Sequence, residues 1–224
     1  MSSWESEGSL TSQWLKRLGL LAIVVLLPSC YIPDKFKSEL RLSRYGDYSL
    51  TFKGDLLWAP ILDDYRKGKI TIENEPEKLE NIRKDLIRDS AVRTMEPRGR
   101  GRFAIEYERA GRLGKVQLIA LLRRDARLIA LRSKENGLIV IHANSLKPSD
   151  AQIMAEMGLN MEGEFRITTD ANVVENNATE VRLFGVYKVY IWKIENPLSP
   201  MPHLVMLRDD DPQRPLSPRV SELP

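Results

Sequence analysis

Cysteine and histidine are almost absent from this chain: one of the first and two of the second among 224 residues. A lone cysteine cannot close an internal disulfide, and two histidines cannot build a rich metal site. No charge of one sign dominates either. The 34 Lys and Arg stand against 31 Asp and Glu, leaving a formal net charge of +3. That is too weak an excess for a nucleic-acid surface. The sequence also lacks H-E-x-x-H, C-x-x-C, a phosphate-binding glycine loop and G-x-S-x-G, so the common catalytic frameworks are missing. What remains is a non-enzymatic protein with no expected cofactor, metal or nucleic-acid partner. Its 42% hydrophobic content is ordinary for a globular chain, and its length suits one domain with tails.

The N-terminal segment is the most informative. Lys16 and Arg17 precede an unbroken apolar run over 18–27, and Pro28, Ser29 and Cys30 follow. A basic region, about ten apolar residues and a small residue form a secretory signal peptide. The run falls short of the roughly 20 residues that span a bilayer as a helix. Leu27-Pro28-Ser29-Cys30 resembles the bacterial lipobox. That resemblance implies a signal peptide over 1–29 and a lipidated Cys30 carrying acyl chains such as palmitate. It also implies a home in the bacterial cell envelope, lipid-anchored on the extracytoplasmic side. Tyr31 and Ile32 follow the cysteine with no aspartate directly after it, which by the same resemblance implies the outer membrane where the source has two. Each buried methylene contributes about 0.8 kcal/mol to such an anchor.

After a tether over 30–37, period-two alternation predicts strands at 38–44 and 48–53. The turn at Arg44-Tyr45-Gly46-Asp47 joins them into a hairpin. Helices are expected at 60–67, at 76–90 and from Pro148 to about Met157, each with Pro or acidic residues at its start. Further strands are expected at 102–108, 115–122, 127–132, 138–143, 164–169, 181–184, 187–194 and 204–207. The fold expected is α+β: a mostly antiparallel sheet of about eight strands, with two or three helices packed on one face. The globular domain covers 38–207, and the polar, Pro-rich residues 208–224 form a disordered tail.

Several residue groups offer chemistry, each beside a plainer reading. His142 alternates with apolar neighbours and reads as a polar position on a half-buried strand. Asp63-Asp64 and Asp209-Asp210-Asp211 lack the glycine and spacing of a calcium loop. Arg98, Arg100 and Arg102 alternate with Gly99 and Gly101, a flexible basic loop able to meet anionic headgroups or an acidic protein surface. Toward the C-terminus, Thr168 or Thr169, Asn176 or Asn177, and Trp192 lie within a strand, an Asn-rich turn and an aromatic strand. With the lipidated cysteine and opening hairpin, this segment resembles the LppM-like bacterial lipoprotein domain. The resemblance implies an envelope lipoprotein and supplies no catalytic residue.

Two functions follow. The first is binding of an envelope lipid or apolar ligand in a cavity between sheet and helices, lined by Phe103, Tyr107, Tyr187, Tyr190 and Trp192. The second is a scaffold subunit of an envelope complex, contacting a membrane-protein partner through its surface. A continuous apolar cavity favours the first. A filled core with an exposed apolar patch favours the second.

Overall fold

Alternating side chains set the architecture. Strands β1 (Tyr31–Leu42) and β2 (Asp47–Trp58) pair antiparallel. Ser43 and Gly46 close their turn, with Gly46 at φ +89°. The computed structural model describes residues 31–122, 128–146, 148, 151–152 and 160–209. After β2 come α1 (Pro60–Arg66) and α2 (Glu75–Leu86), then β3 (Val92–Gly99), β4 (Arg102–Arg112), β5 (Gln117–Ala120), β6 (Ala130–Ser133) and β7 (Leu138–His142). The C-terminal part adds β8 (Gly163–Thr169), β9 (Val173–Asn176), β10 (Glu180–Phe184), β11 (Tyr187–Ile194) and β12 (His203–Leu207).

These strands form two sheets, not one. The larger has the order β10-β11-β8-β1-β2-β4-β3, and the smaller β5-β6-β7-β12-β9. All neighbours are antiparallel except β1 and β8, which run parallel with Leu40 opposite Ile167. The chain passes to the small sheet after β4 and returns at β8, and it then crosses three more times, between β8 and β9, β9 and β10, and β11 and β12. The mostly β, single-domain architecture expected from the sequence is therefore observed, but the expected layer of two or three helices on one face is not. Only α2 is a helix of three turns among the described residues; α1 has seven residues. The third expected helix, from Pro148 to about Met157, lies largely outside them. Much of the face reserved for helices is covered by the second sheet.

One face of the large sheet holds the core. Leu40 of β1 lies between Ile167 of β8 and Leu50 of β2, and Phe36, Leu42, Phe52 and Phe165 are buried around them. They share one apolar cluster with Ile139 and Ile141 of β7 and Leu204 and Met206 of β12. Nearer the start of β1 the helices take over: Ile61, Leu79 and Leu86 close on Met95 and Phe103. The opposite face carries exposed polar residues, including Lys37, Thr51, Lys53, Glu108 and Arg166.

Residues 31–37, expected as a tether, belong to β1. A bulge between Asp34 and Lys37 breaks the period there, with Lys35 at φ +48°. Strand β3 was hidden by Pro97 and sparse apolar residues. It lies at the sheet edge, where a proline's missing donor costs no ladder bond. Cys30, the signal segment and the tail beyond Asp209 lie outside the described residues.

One half-buried tyrosine and one buried tyrosine make the domain sensitive to alkali. Burial, and next the Glu75 carboxylate, push the Tyr65 hydroxyl up to about 12. Burial also raises Tyr107 well above its ordinary value. A raised folded-state pKa contributes stability that is complete below about pH 10, the unfolded value, and is lost as pH climbs through the folded value. The melting temperature is thus expected to fall between about pH 10 and 12, and Tyr107→Phe to flatten that fall. A pH series of thermal melts checks both.

Candidate functional site

The aromatic residues expected to line a cavity mostly fill the core instead. Phe103 and Trp192 are 0% exposed, Tyr107 2% and Tyr190 4%. Trp192 sits where the chain changes sheets, and its indole N–H donates to Asn177 Oδ1 at 2.8 Å. The same oxygen accepts the His203 backbone N–H at 2.8 Å, while Asn177 Nδ2 donates to the Met201 carbonyl at 3.0 Å. Thr169, fully buried, accepts the Ala171 N–H at 3.1 Å. The structure therefore brings Asn177 and Trp192 together, and their work is to fasten the crossings. Only Tyr187 among the five aromatics is half-exposed.

A cleft of about 340 Å³ does lie on the outer face of the large sheet, lined by Lys37, Glu39, Lys53, Glu106 and Arg166 among others. Its charges neutralise one another. Lys53 pairs with Glu106, Arg166 with Glu164, and Arg93 with Glu108 at 3.4 Å. The Glu106 carboxylate accordingly raises the Lys53 ammonium. Paired, exposed charges of this kind are worth little. His203 lies 3.1 Å from Glu175, both at the surface. Among the described residues, no three of His, Cys, Asp and Glu stand close enough to hold a metal.

Two surfaces remain, at opposite ends of the large sheet. At the end where β1 starts, Tyr31 faces Trp58, whose backbone N–H donates to the Gly101 carbonyl at 3.0 Å. Arg98, Arg100 and Arg102 therefore stand beside the beginning of β1. Gly99, Arg100 and Gly101 all take positive φ, at +75°, +52° and +72°. A Cβ on Gly101 would lie 2.1 Å from Ile61 Cγ2, so the tip is fixed against α1 rather than free.

The other end carries a surface that periodicity did not single out. The β10–β11 turn lies beside the ends of β1 and β8, since Lys188 faces Thr169 and Thr169 faces Leu42. Gly185, at φ +59°, takes the first central position of a two-residue turn. Around it Leu183 is 77%, Phe184 61% and Val186 74% exposed, with Val181 at 47%. β10 is also an edge strand, with one row of backbone groups open to pairing. The signal in the sequence was three large apolar residues flanking a turn, where polar residues are the rule.

No protein-family model matches the chain, and no curated protein matches its sequence. Among solved structures, it is similar to the folded domain of LppM from Mycobacterium tuberculosis, determined by NMR. The two are 10% identical with a TM-score of 0.38, over 82% of this chain and 96% of that one.

Proposed function

We propose that this chain is a bacterial envelope lipoprotein, anchored through Cys30, that acts as an assembly subunit by docking a protein partner on its β10–β11 hairpin. The reading takes the anchor from the lipobox and the binding role from one observation: Leu183, Phe184 and Val186 stand together in solvent on an edge hairpin. Contiguous apolar surface rimmed by polar residues marks interaction sites, and an open strand edge accepts an added strand. Arg182, Glu180 and Lys188 supply the polar rim. Binding, not catalysis, is the role proposed. Ligand capture between the layers is favoured less, because Phe103, Tyr190 and Trp192 are spent on packing.

The test uses a photo-reactive amino acid at Phe184 and, as a control, at Lys53 in living cells. A discrete crosslinked adduct at 184, absent at 53 and lost with Leu183→Glu, is the expected result. Absence of any adduct at 184 overturns the docking role. A removable lipid of discrete mass on the purified protein would return the weight to ligand binding.

A further inference from the structure

The two ends of the large sheet are unlike, and the chain enters the fold at one of them. The apolar run over 18–27 and Cys30 immediately precede Tyr31, and Tyr31 is already in β1. With β1 beginning there, no slack separates the anchoring segment from the folded domain. Whatever holds Cys30 holds this end of the sheet within a few ångströms of it.

That end is also where the arginine tip lies. Arg98 and Arg100 are exposed and Arg102 half-buried. The carboxylates nearest the tip are engaged: Glu75 accepts the Gly101 N–H at 3.1 Å, and Glu96 lies 3.9 Å from Arg98. Arg100 holds a left-handed conformation that L-residues with a side chain adopt only at a cost. Beside it runs the turn entering α2, tied by the Thr71 N–H donating to Asn74 Oδ1 at 2.7 Å. On this turn Ile72 is 88% exposed. Lys69 and Lys78 flank it, against Glu73 and Glu77.

We infer that this end of the domain is seated on an anionic lipid bilayer, with Arg98, Arg100 and Arg102 against headgroup phosphates and Ile72 at the acyl boundary. The inference rests on the anchored reading above and adds an orientation to it. Leu42 lies eleven residues along β1 from Tyr31, about 35 Å at the rise of a strand. The apolar hairpin therefore points away from the membrane, held at that height for a partner. A basic side chain at an anionic surface attracts it about fivefold, equivalent to roughly 1 kcal/mol.

The test labels the full chain, purified from bacterial membranes, with an environment-sensitive fluorophore on an introduced thiol. Ile72→Cys and Phe184→Cys are placed separately in vesicles of phosphatidylcholine, alone or equimolar with phosphatidylglycerol. Cys30 is the sole native cysteine, so the unsubstituted chain takes no label if its thiol is acylated. The expected result is a blue shift at 72 on the anionic vesicles only, reversed by high salt, with none at 184. Replacing all three arginines by glutamine is expected to weaken this engagement on the order of a hundredfold while the protein still floats with the vesicles.

A floating, unlabelled native chain with no shift at 72 overturns the seating and leaves the anchor standing. A shift at 184 overturns the orientation. Free labelling of Cys30 removes the anchor, and the inference with it.

Discussion

Trp192→Ala is expected to lower the unfolding free energy by about 3–5 kcal/mol, the usual cost of removing a large buried aromatic. Trp192 is 0% exposed and belongs to the main core cluster. It stands in register with Phe165 on β8, so its ring helps cover the centre of the large sheet. The alanine would leave a cavity at the place where three segments change sheets. It would also leave Asn177 Oδ1 with the His203 N–H alone. Domains of this kind are stable by only about 5–15 kcal/mol, so much of that margin would go. Trp192→Phe separates the contributions: it keeps most of the volume and loses the N–H donor, and about 1–2 kcal/mol is expected. Chemical unfolding of the three proteins by urea measures both. Equal stability of the alanine variant and the parent would refute the packing role.

The second large effect concerns the contact of two glycines with Phe36. A Cβ added at Gly54 would lie 2.5 Å from Phe36 Cβ and 2.6 Å from its Cα. One added at Gly163 would lie 2.4 Å from Phe36 Cδ1 and 2.6 Å from its carbonyl oxygen. Phe36 is pinned between them, stacked on Phe52 at 5.6 Å and edge-on to Phe165 at 4.7 Å. Either glycine replaced by alanine forces backbone to move within a bulge, and overpacking of this sort costs about 1–3 kcal/mol or more. Gly54→Ala is placed at the top of that range, because its obstacle is main chain. Phe36→Ala is expected to relieve Gly163→Ala in part by removing the ring, and Gly54→Ala hardly at all. Thermal melts of the double variants decide this. Full rescue of Gly54→Ala would mean that the backbone there is softer than its contacts imply.

The sequence was legible where one face is buried and the other wet. Leu40 and Leu42, and Tyr48, Leu50 and Phe52, alternate cleanly, and the β1–β2 hairpin was plain from them. Where the period breaks, the reading fails for a physical reason. The Lys35 bulge shifts the phase of β1, so Ile32, Pro33 and Asp34 are buried together and looked like a linker. Strand β9 is four residues long and mostly exposed, leaving no alternation to detect. Periodicity also tells which side of a strand is buried but not against what, so two sheets looked like one with helices above it. The aromatic strand residues posed the same ambiguity, since core and pocket lining share one pattern. Asn177 and Trp192 lie fifteen positions apart, and only the crossing between sheets makes them partners.

The parallel pairing of β1 with β8 bears on how the domain comes into being. Strands β1, β2 and β4 can join as each follows the last, but the second edge of β1 has no early partner. The Glu162 N–H that meets Asp34 comes from 128 positions farther along. At synthesis speeds of about 5–20 residues per second, that edge waits on the order of ten seconds. Until β8 arrives, the middle of the future sheet is an open edge flanked by Phe36, Leu40 and Leu42. Such distant pairing makes folding slow, and an unpaired apolar edge invites aggregation. A chain that emerges N-terminus first thus spends its most vulnerable interval with its earliest strand half-clothed.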